Sequence, residues 1–342
     1  MTAGAVAVEE APAGPARRGG PDGRTAWGTV RTVLRLHRTA LLVWAAVVLA
    51  LSGWLVWLTE IAAQEELAEW EACERAGQDL CDMTIGWVGY GESLRWVGLL
   101  ISFCFLGVAA FAGGALIGRE LENGTARLAW AQGITPARWL TAKLAVPALA
   151  LTAGVTVLVL VYRWAWGANR VLTYNGWMGD DAYLSRGPAG LAYVLCALAF
   201  GVLTALLLRR ALPALAVSVA ASGLLAFVVA RYRDSFWPAV TRTSPADGVG
   251  LPDNAWELEN GVLIHGRRTP DIGYWTCDGT AAEARRCLDD LGITGSYTTY
   301  HPESHYWPIQ LVETGVVLAV AALATAAAFL LLRRRTATAS AA

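Results

Sequence analysis

Gly118-Arg-Glu-Leu-Glu-Asn-Gly-Thr-Ala-Arg-Leu-Ala-Trp-Ala-Gln-Gly-Ile-Thr-Pro-Ala-Arg-Trp-Leu-Thr-Ala-Lys143 is a short polar stretch set between two long uncharged runs, 96–118 and 144–162. A chain that leaves one apolar run and starts another within 25 residues has no room for a soluble domain at that point. About 20 apolar residues of helix span the hydrocarbon core of a bilayer, so each flanking run is long enough to cross it. Four further runs meet the same length, at 40–58, 189–208, 211–230 and 314–332. Composition agrees: 55% hydrophobic, 16% charged, mean hydropathy +0.42 and 16 Trp among 342 residues describe a polytopic membrane protein.

Arginine placement orients the spans, because basic residues concentrate in cytoplasmic loops. With the N-terminus inside, Arg17, Arg18, Arg24, Arg31, Arg35 and Arg38, then Arg119, Arg127, Arg138 and Lys143, then Arg209 and Arg210, then Arg333, Arg334 and Arg335 all lie inside. Those are 15 of the 27 basic residues, on much less chain than the outside loops. Of the acidic residues only Glu9, Glu10, Asp22, Glu120 and Glu122 share that side. Both termini are expected in the cytoplasm, at the plasma membrane. The net charge of −1 conceals this asymmetry and gives no reason to invoke nucleic acid.

Residues 1–24 form an Ala/Gly/Pro/Arg tail without a core-forming pattern and are expected to be disordered, and no cleavable signal peptide is expected ahead of the first span. From 25 to 39, Trp27, Val30, Val33, Leu34 and Leu36 interleave with Arg31, Arg35 and Arg38. That pattern suits an amphipathic helix in the inner headgroup layer, or simply a basic flank. The outside segment 59–95 opens with Glu60, Glu65, Glu66, Glu69, Glu71 and Glu74, read as a solvated helix face. Segment 163–188 places Trp164, Trp166, Tyr174 and Trp177 in the aromatic belt.

Residues 231–310 are long enough for a small α+β extracytoplasmic cap between the fifth and sixth spans. Asn260-Gly261, between Trp256–Glu259 and Val262–His265, reads as a two-residue hairpin turn. Thr280 with Glu283 reads as a capping box opening a short helix through Arg285, Cys287 and Leu288 that stops near Gly292. Span 311–335 and a short tail, 336–342, complete the chain.

Cys73 and Cys81 fall in the first outside loop and Cys277 and Cys287 in the last, while Cys104 and Cys196 lie within apolar runs. Four loop cysteines allow three pairings; 73 with 81 and 277 with 287 are favoured because each closes a short loop. Neither pair has the two-to-four-residue zinc spacing, so His301 and His305 read as ordinary surface residues and no metal or cofactor is expected.

Within 119–143, Arg119, Glu120 and Glu122 emerge from the second span and Asn123-Gly124 breaks the helix. Thr125 then caps a short helix through Arg127 and Trp130, Gln132-Gly133 ends it, and Thr135-Pro136 starts the third span with proline at its first helical position. A short amphipathic helix so held suits contact with a soluble partner. Movement of one rigid element tilts both spans attached to it.

Arg119-Glu-Leu-Glu-Asn-Gly-Thr-Ala-Arg127, followed by Gln132-Gly-Ile-Thr-Pro-Ala-Arg-Trp-Leu140, resembles the ATP-binding-cassette (ABC) type-2 exporter permeases of high-GC bacteria. In these, an R-E-x-E-x-G-T-x-R pattern between the second and third spans forms a coupling helix. Tyr300-His-Pro-Glu-Ser-His-Tyr-Trp-Pro-Ile-Gln-Leu-Val-Glu-Thr-Gly315 and the terminal Arg cluster also look like that family. The resemblance implies a permease subunit of an efflux system that pairs with a second permease protomer, identical or not, in membrane lipid. Separate soluble P-loop ATPase subunits would carry the ATP chemistry. It also implies that Arg119, Glu120, Glu122, Gly124, Thr125, Arg127, Trp130, Gln132 and Arg138 form the ATPase coupling site, the charged ones docking the partner or bracing the helix.

Two readings of the residues agree. A Walker A loop needs Gly-Lys-Ser/Thr, and the only lysine, Lys143, lies between Ala142 and Leu144, so this chain is not expected to be an enzyme. Ion-driven carriers place ionisable groups at membrane depth, and the six apolar runs hold none; Glu313 stands at the outer mouth of the last span, as a possible gate or, more simply, a solvated interfacial carboxylate. Among rivals, an intramembrane hydrolase lacks partners for Ser52, Ser102, Ser218 and Ser222. A membrane anchor or sensor working through the outer cap remains the alternative.

Overall fold

The structure is a computed structural model that describes residues 31, 34–76, 89–173, 176–179, 182–245, 251–252, 254–270, 276–277 and 280–340. The tail 1–24, most of the 25–39 helix and Cys81 lie outside these residues. Six described helices are long and apolar enough to cross a membrane, with mean hydropathies of 2.2 to 2.5 over their most apolar windows. They are α1 (Arg38–Cys73), α2 (Tyr90–Glu122), α4 (Pro136–Ala168), α5 (Pro188–Leu208), α6 (Ala211–Arg231) and α8 (Tyr306–Ser340), with the short α3 (Thr125–Ala131) between the second and third.

The polarity of the bundle is that of a lipid-solvated protein. α5 lies at the centre, packed against α8, α2 and α6, whereas α1, α4 and α6 leave large apolar side chains such as Leu149, Leu160, Leu212 and Phe227 exposed. Apolar side chains facing lipid add little to helix association, so close backbone approach and interhelical hydrogen bonds do the holding. At the α2–α5–α6 crossing a Cβ on Gly201 would lie 2.4 Å from that of Ala112, and one on Gly113 would lie 2.8 Å from the Ala214 carbonyl. The Ser218 hydroxyl donates to the Ala109 carbonyl at 2.8 Å across the same contact. α2 widens to a π-helix over Phe111–Gly118 there.

Several helices outrun the apolar runs that announce them. α1 continues as helix to Arg75, so the acidic stretch after the first span is helical. One of its carboxylates is not solvated: Glu66 is buried and accepts from the Tyr90 backbone N–H at 2.8 Å, capping the start of α2. The solvated-face reading fails for this residue because its partner lies 24 positions away.

Between α6 and α8 the chain forms an antiparallel sheet of β1 (Val240–Ser244), β2 (Trp256–Ile264), β3 (Arg267–Pro270) and β4 (Ile293–His301), in the order β1-β4-β2-β3, with α7 (Ala281–Asp290) against it. The capping box at Thr280 and Glu283 is present, and Gly292 follows α7 at φ +65°. Cys277 and Cys287 are disulfide-bonded beside Val262, Leu288 and Ile293.

The hairpin turn is displaced from Asn260-Gly261. β2 runs straight through both residues, and the chain turns at His265-Gly266, where both φ values are positive. Gly261 is required for another reason, since a Cβ there would sit 2.5 Å from the Thr269 carbonyl and 2.9 Å from the Tyr297 ring.

Candidate functional site

The 119–143 segment stands at the end of the bundle opposite the sheet. Gly124, at φ +73°, turns the chain out of α2 and is itself the N-cap of α3; Thr125 is the first helical residue, and its hydroxyl donates to the Glu120 carbonyl rather than capping. α3 ends at Gln132-Gly133, with Gly133 at φ +88°. Thr135 caps α4 by accepting from the Arg138 backbone N–H, with Pro136 at the first helical position. Trp130 meets Trp139 edge to face at 5.7 Å, and Ala126 is buried under the helix. α3 is thereby fixed to both neighbouring spans.

The charged residues of the segment divide by role. Glu120 pairs with Lys143 at 2.5 Å, and the Lys143 ammonium, 3% exposed, also lies 2.8 Å from His37 Nε2. Burial, and then the nearby Lys143 cation, hold the His37 imidazole below its ordinary value of 6.5, with Glu120 opposing. Glu122 accepts from the Ala211 backbone N–H at 2.9 Å and so caps α6. The two acids therefore tie α2 to α1, α4 and α6.

Arg119, Arg127 and Gln132 are exposed, as is the side chain of Leu128 at 61%, while Arg138 is half-buried. Beside α3 lies a cavity of 660 Å³ lined by Arg127, Trp130, Arg209, Leu332 and Arg335. Sequence reasoning missed Leu128 and Arg209 as parts of this surface. Arg209, at φ +55°, ends α5 in the left-handed region usually left to glycine, and nothing local in the sequence announces that.

At the sheet-bearing end, Glu313 departs from the solvated carboxylate expected. It is 0% exposed and accepts from Arg233 at 2.8 and 3.1 Å and from the Tyr193 hydroxyl at 2.9 Å. The Arg233 guanidinium lies 4.0 Å over the Tyr183 ring. Burial alone would lower its pKa, but the hydrogen bonds and charge of Glu313 hold it above the ordinary value. Its sequence neighbour Asp234 accepts on its backbone carbonyl from the His301 ring at 3.0 Å, and His301 Nδ1 sits 3.0 Å from His305 Nδ1. His301 is fully buried against Trp256, not a surface residue. No cluster of three metal-ligating side chains occurs among the described residues.

Six apolar spans, large apolar side chains exposed on the outer face of the bundle and a short helix braced between two spans define a multi-pass membrane protein with a built interhelical loop. The family model described as ABC-2 membrane transporter related matches residues 45–233, and the chain belongs to that family. It is thus a membrane permease component of an ABC transporter, a family in which the permease is normally non-catalytic and the ATPase is a partner chain. Comparison with curated proteins and with solved structures returned no match.

Proposed function

We propose that this chain is the transmembrane permease of an ATP-driven exporter. It works with separate P-loop ATPase subunits and a second permease protomer, with α3 and both termini in the cytoplasm and the sheet outside. The observation that carries the reading is the division of charge at α3: Glu120 and Glu122 are consumed in bracing, leaving Arg119, Arg127 and Leu128 presented to a soluble partner. The family match and the concentration of arginine on this side support it. In this reading a push on α3 reaches α2 and α4 covalently, α6 through Glu122 and α1 through Lys143 and His37. Efflux and a fairly hydrophobic cargo follow from the class, and Glu313 serves as a fixed anchor beneath the sheet rather than a gate.

The test is co-purification from native membranes after crosslinking. A P-loop ATPase that accompanies the wild type and is lost with Arg127→Glu or Leu128→Glu, while both variants keep wild-type melting, is the expected result. A wild type without any ATPase overturns the proposal, and retention of the ATPase by both variants overturns the assignment of α3. Glu122→Arg is unsuitable as the disrupting variant because it uncaps α6.

A further inference from the structure

At the sheet-bearing end, three guanidiniums, from α4, the 3-10 turn after it and the turn before α5, lie over aromatic rings of α4 and α8. Arg186, in the 3-10 turn Leu184–Arg186, lies 3.4 Å over the Trp166 ring and 5.0 Å from Tyr306. Arg170 lies 4.6 Å over the same Trp166, and Arg163 lies 4.7 Å over Trp307. Arg170 has a carboxylate, Glu303, at 2.5 Å. Arg186 has none: it is 8% exposed, and its Nε and Nη1 are enclosed without a hydrogen-bond partner.

A buried guanidinium without an acceptor is costly, because its N–H groups lose water and gain nothing. Stacking returns part of that cost through the ring quadrupoles, but it uses the face of the cation and leaves the in-plane N–H groups unmet. Arg170 shares the indole and adds like-charge repulsion; burial above all, and to a smaller degree Arg170, work against the charged form, with Tyr306 and Glu303 opposing. Among the described residues, three cations face one carboxylate here.

We propose that Arg186 is the base of an anion site, with Arg170 and Arg163 as its more exposed rim, and that the ligand group is a phosphate. A guanidinium fork matches phosphate oxygens in its own plane. The surroundings favour a phospholipid headgroup as its source. Trp164 and Trp307 are exposed on the bundle surface, as tryptophans are at headgroup depth, and Leu160 and Leu311, four residues deeper on α4 and α8, are exposed apolar side chains placed to meet acyl chains. A soluble phosphate is the other source of the same chemistry. The site is independent of the transport reading and lies at the far end of the bundle from α3.

The test is thermal unfolding of the purified full chain in an uncharged detergent, titrated with dioctanoyl phosphatidylglycerol, dioctanoyl phosphatidylcholine or inorganic phosphate. Phosphatidylglycerol is expected to raise the midpoint saturably and more strongly than phosphatidylcholine, whose choline opposes the three guanidiniums. Arg186→Gln should weaken its affinity about tenfold or more, the loss of a charge-assisted pair. Glu303→Gln frees Arg170 and should tighten binding severalfold, which keeps the test alive if Arg186→Gln does not fold. Equal stabilisation by inorganic phosphate, also lost in Arg186→Gln, identifies a soluble ligand at the same site. No stabilisation by any probe overturns the proposal, as do affinities unchanged in both variants. Arg186 is then a cation stacked for packing alone.

Discussion

Replacing Glu313 with glutamine tests the buried pair at the root of the sheet. The carboxylate is completely enclosed, the Arg233 side chain is 7% exposed, and two guanidinium bonds and one from Tyr193 converge on Glu313. Glutamine keeps the size and one acceptor, so the Tyr193 contact survives while Arg233 becomes a buried cation without a counter-charge. Breaking a buried pair from one side costs about 3–5 kcal/mol, and the retained acceptor places Glu313→Gln near the lower end. Replacing both partners with apolar residues of similar volume, Arg233→Met with Glu313→Leu, removes the stranded charge and should recover most of that loss. The assay is reversible unfolding in mixed micelles against increasing SDS fraction, with Glu92→Gln as control. Glu92 meets Arg95 on the surface at 2.8 Å, where water screens the pair and its contribution is small. If Glu313→Gln costs no more than Glu92→Gln, the carboxylate is solvated in the membrane and the reasoning from burial is wrong.

Three further outcomes follow from named contacts. Lys143 is the only lysine and is enclosed by Glu120 and His37, so an amine-reactive reagent at pH 8 should label the folded chain on this side chain slowly and Glu120→Gln markedly faster; equal rates would show that the pair does not hold. Because His37 is held below 6.5, the folded state keeps it neutral where the unfolded chain takes up a proton. Its contribution is complete above 6.5 and is lost as pH falls through the folded value, so melting should decline from pH 7 to 5.5 and do so less in His37→Gln; parallel slopes refute the assignment. Gly201→Val forces side-chain atoms into Ala112 and the α2 backbone and should cost about 1–3 kcal/mol or more in the same SDS titration, whereas Gly53→Val, with nothing within 4 Å, should change little.

The spans are legible because twenty apolar residues must form a helix in lipid whatever surrounds them. The turns at Gly124, Gly133 and Thr135-Pro136 and the box at Thr280 are legible because their hydrogen bonds close within a few residues. The failures share the opposite property. Glu66, Glu313 and His301 are buried by partners 24, 80 and 67 positions away, and a polar residue beside an apolar run gives no local sign of such a partner. Asn260-Gly261 fails differently: the dipeptide has a turn's composition, but Gly261 meets a need for space between strands, and the turn falls at His265-Gly266. At the candidate site, residue types and helix boundaries were readable, but which charges are spent internally was not.

That last distinction governs how variants of the 119–143 segment should be interpreted. A motif read as one string invites the assumption that every charge in it faces the partner. Here the acidic half closes on Lys143 and the start of α6, and Arg119 and Arg127 remain at the surface with Leu128. Acid-to-amide changes at Glu120 or Glu122 loosen the frame and should lower stability whether or not a partner is bound. Changes at Arg127 or Leu128 leave the frame intact and should act only when a partner is present. Loss of transport alone cannot separate these two origins; melting of the isolated permease can, because it registers the first class and is blind to the second.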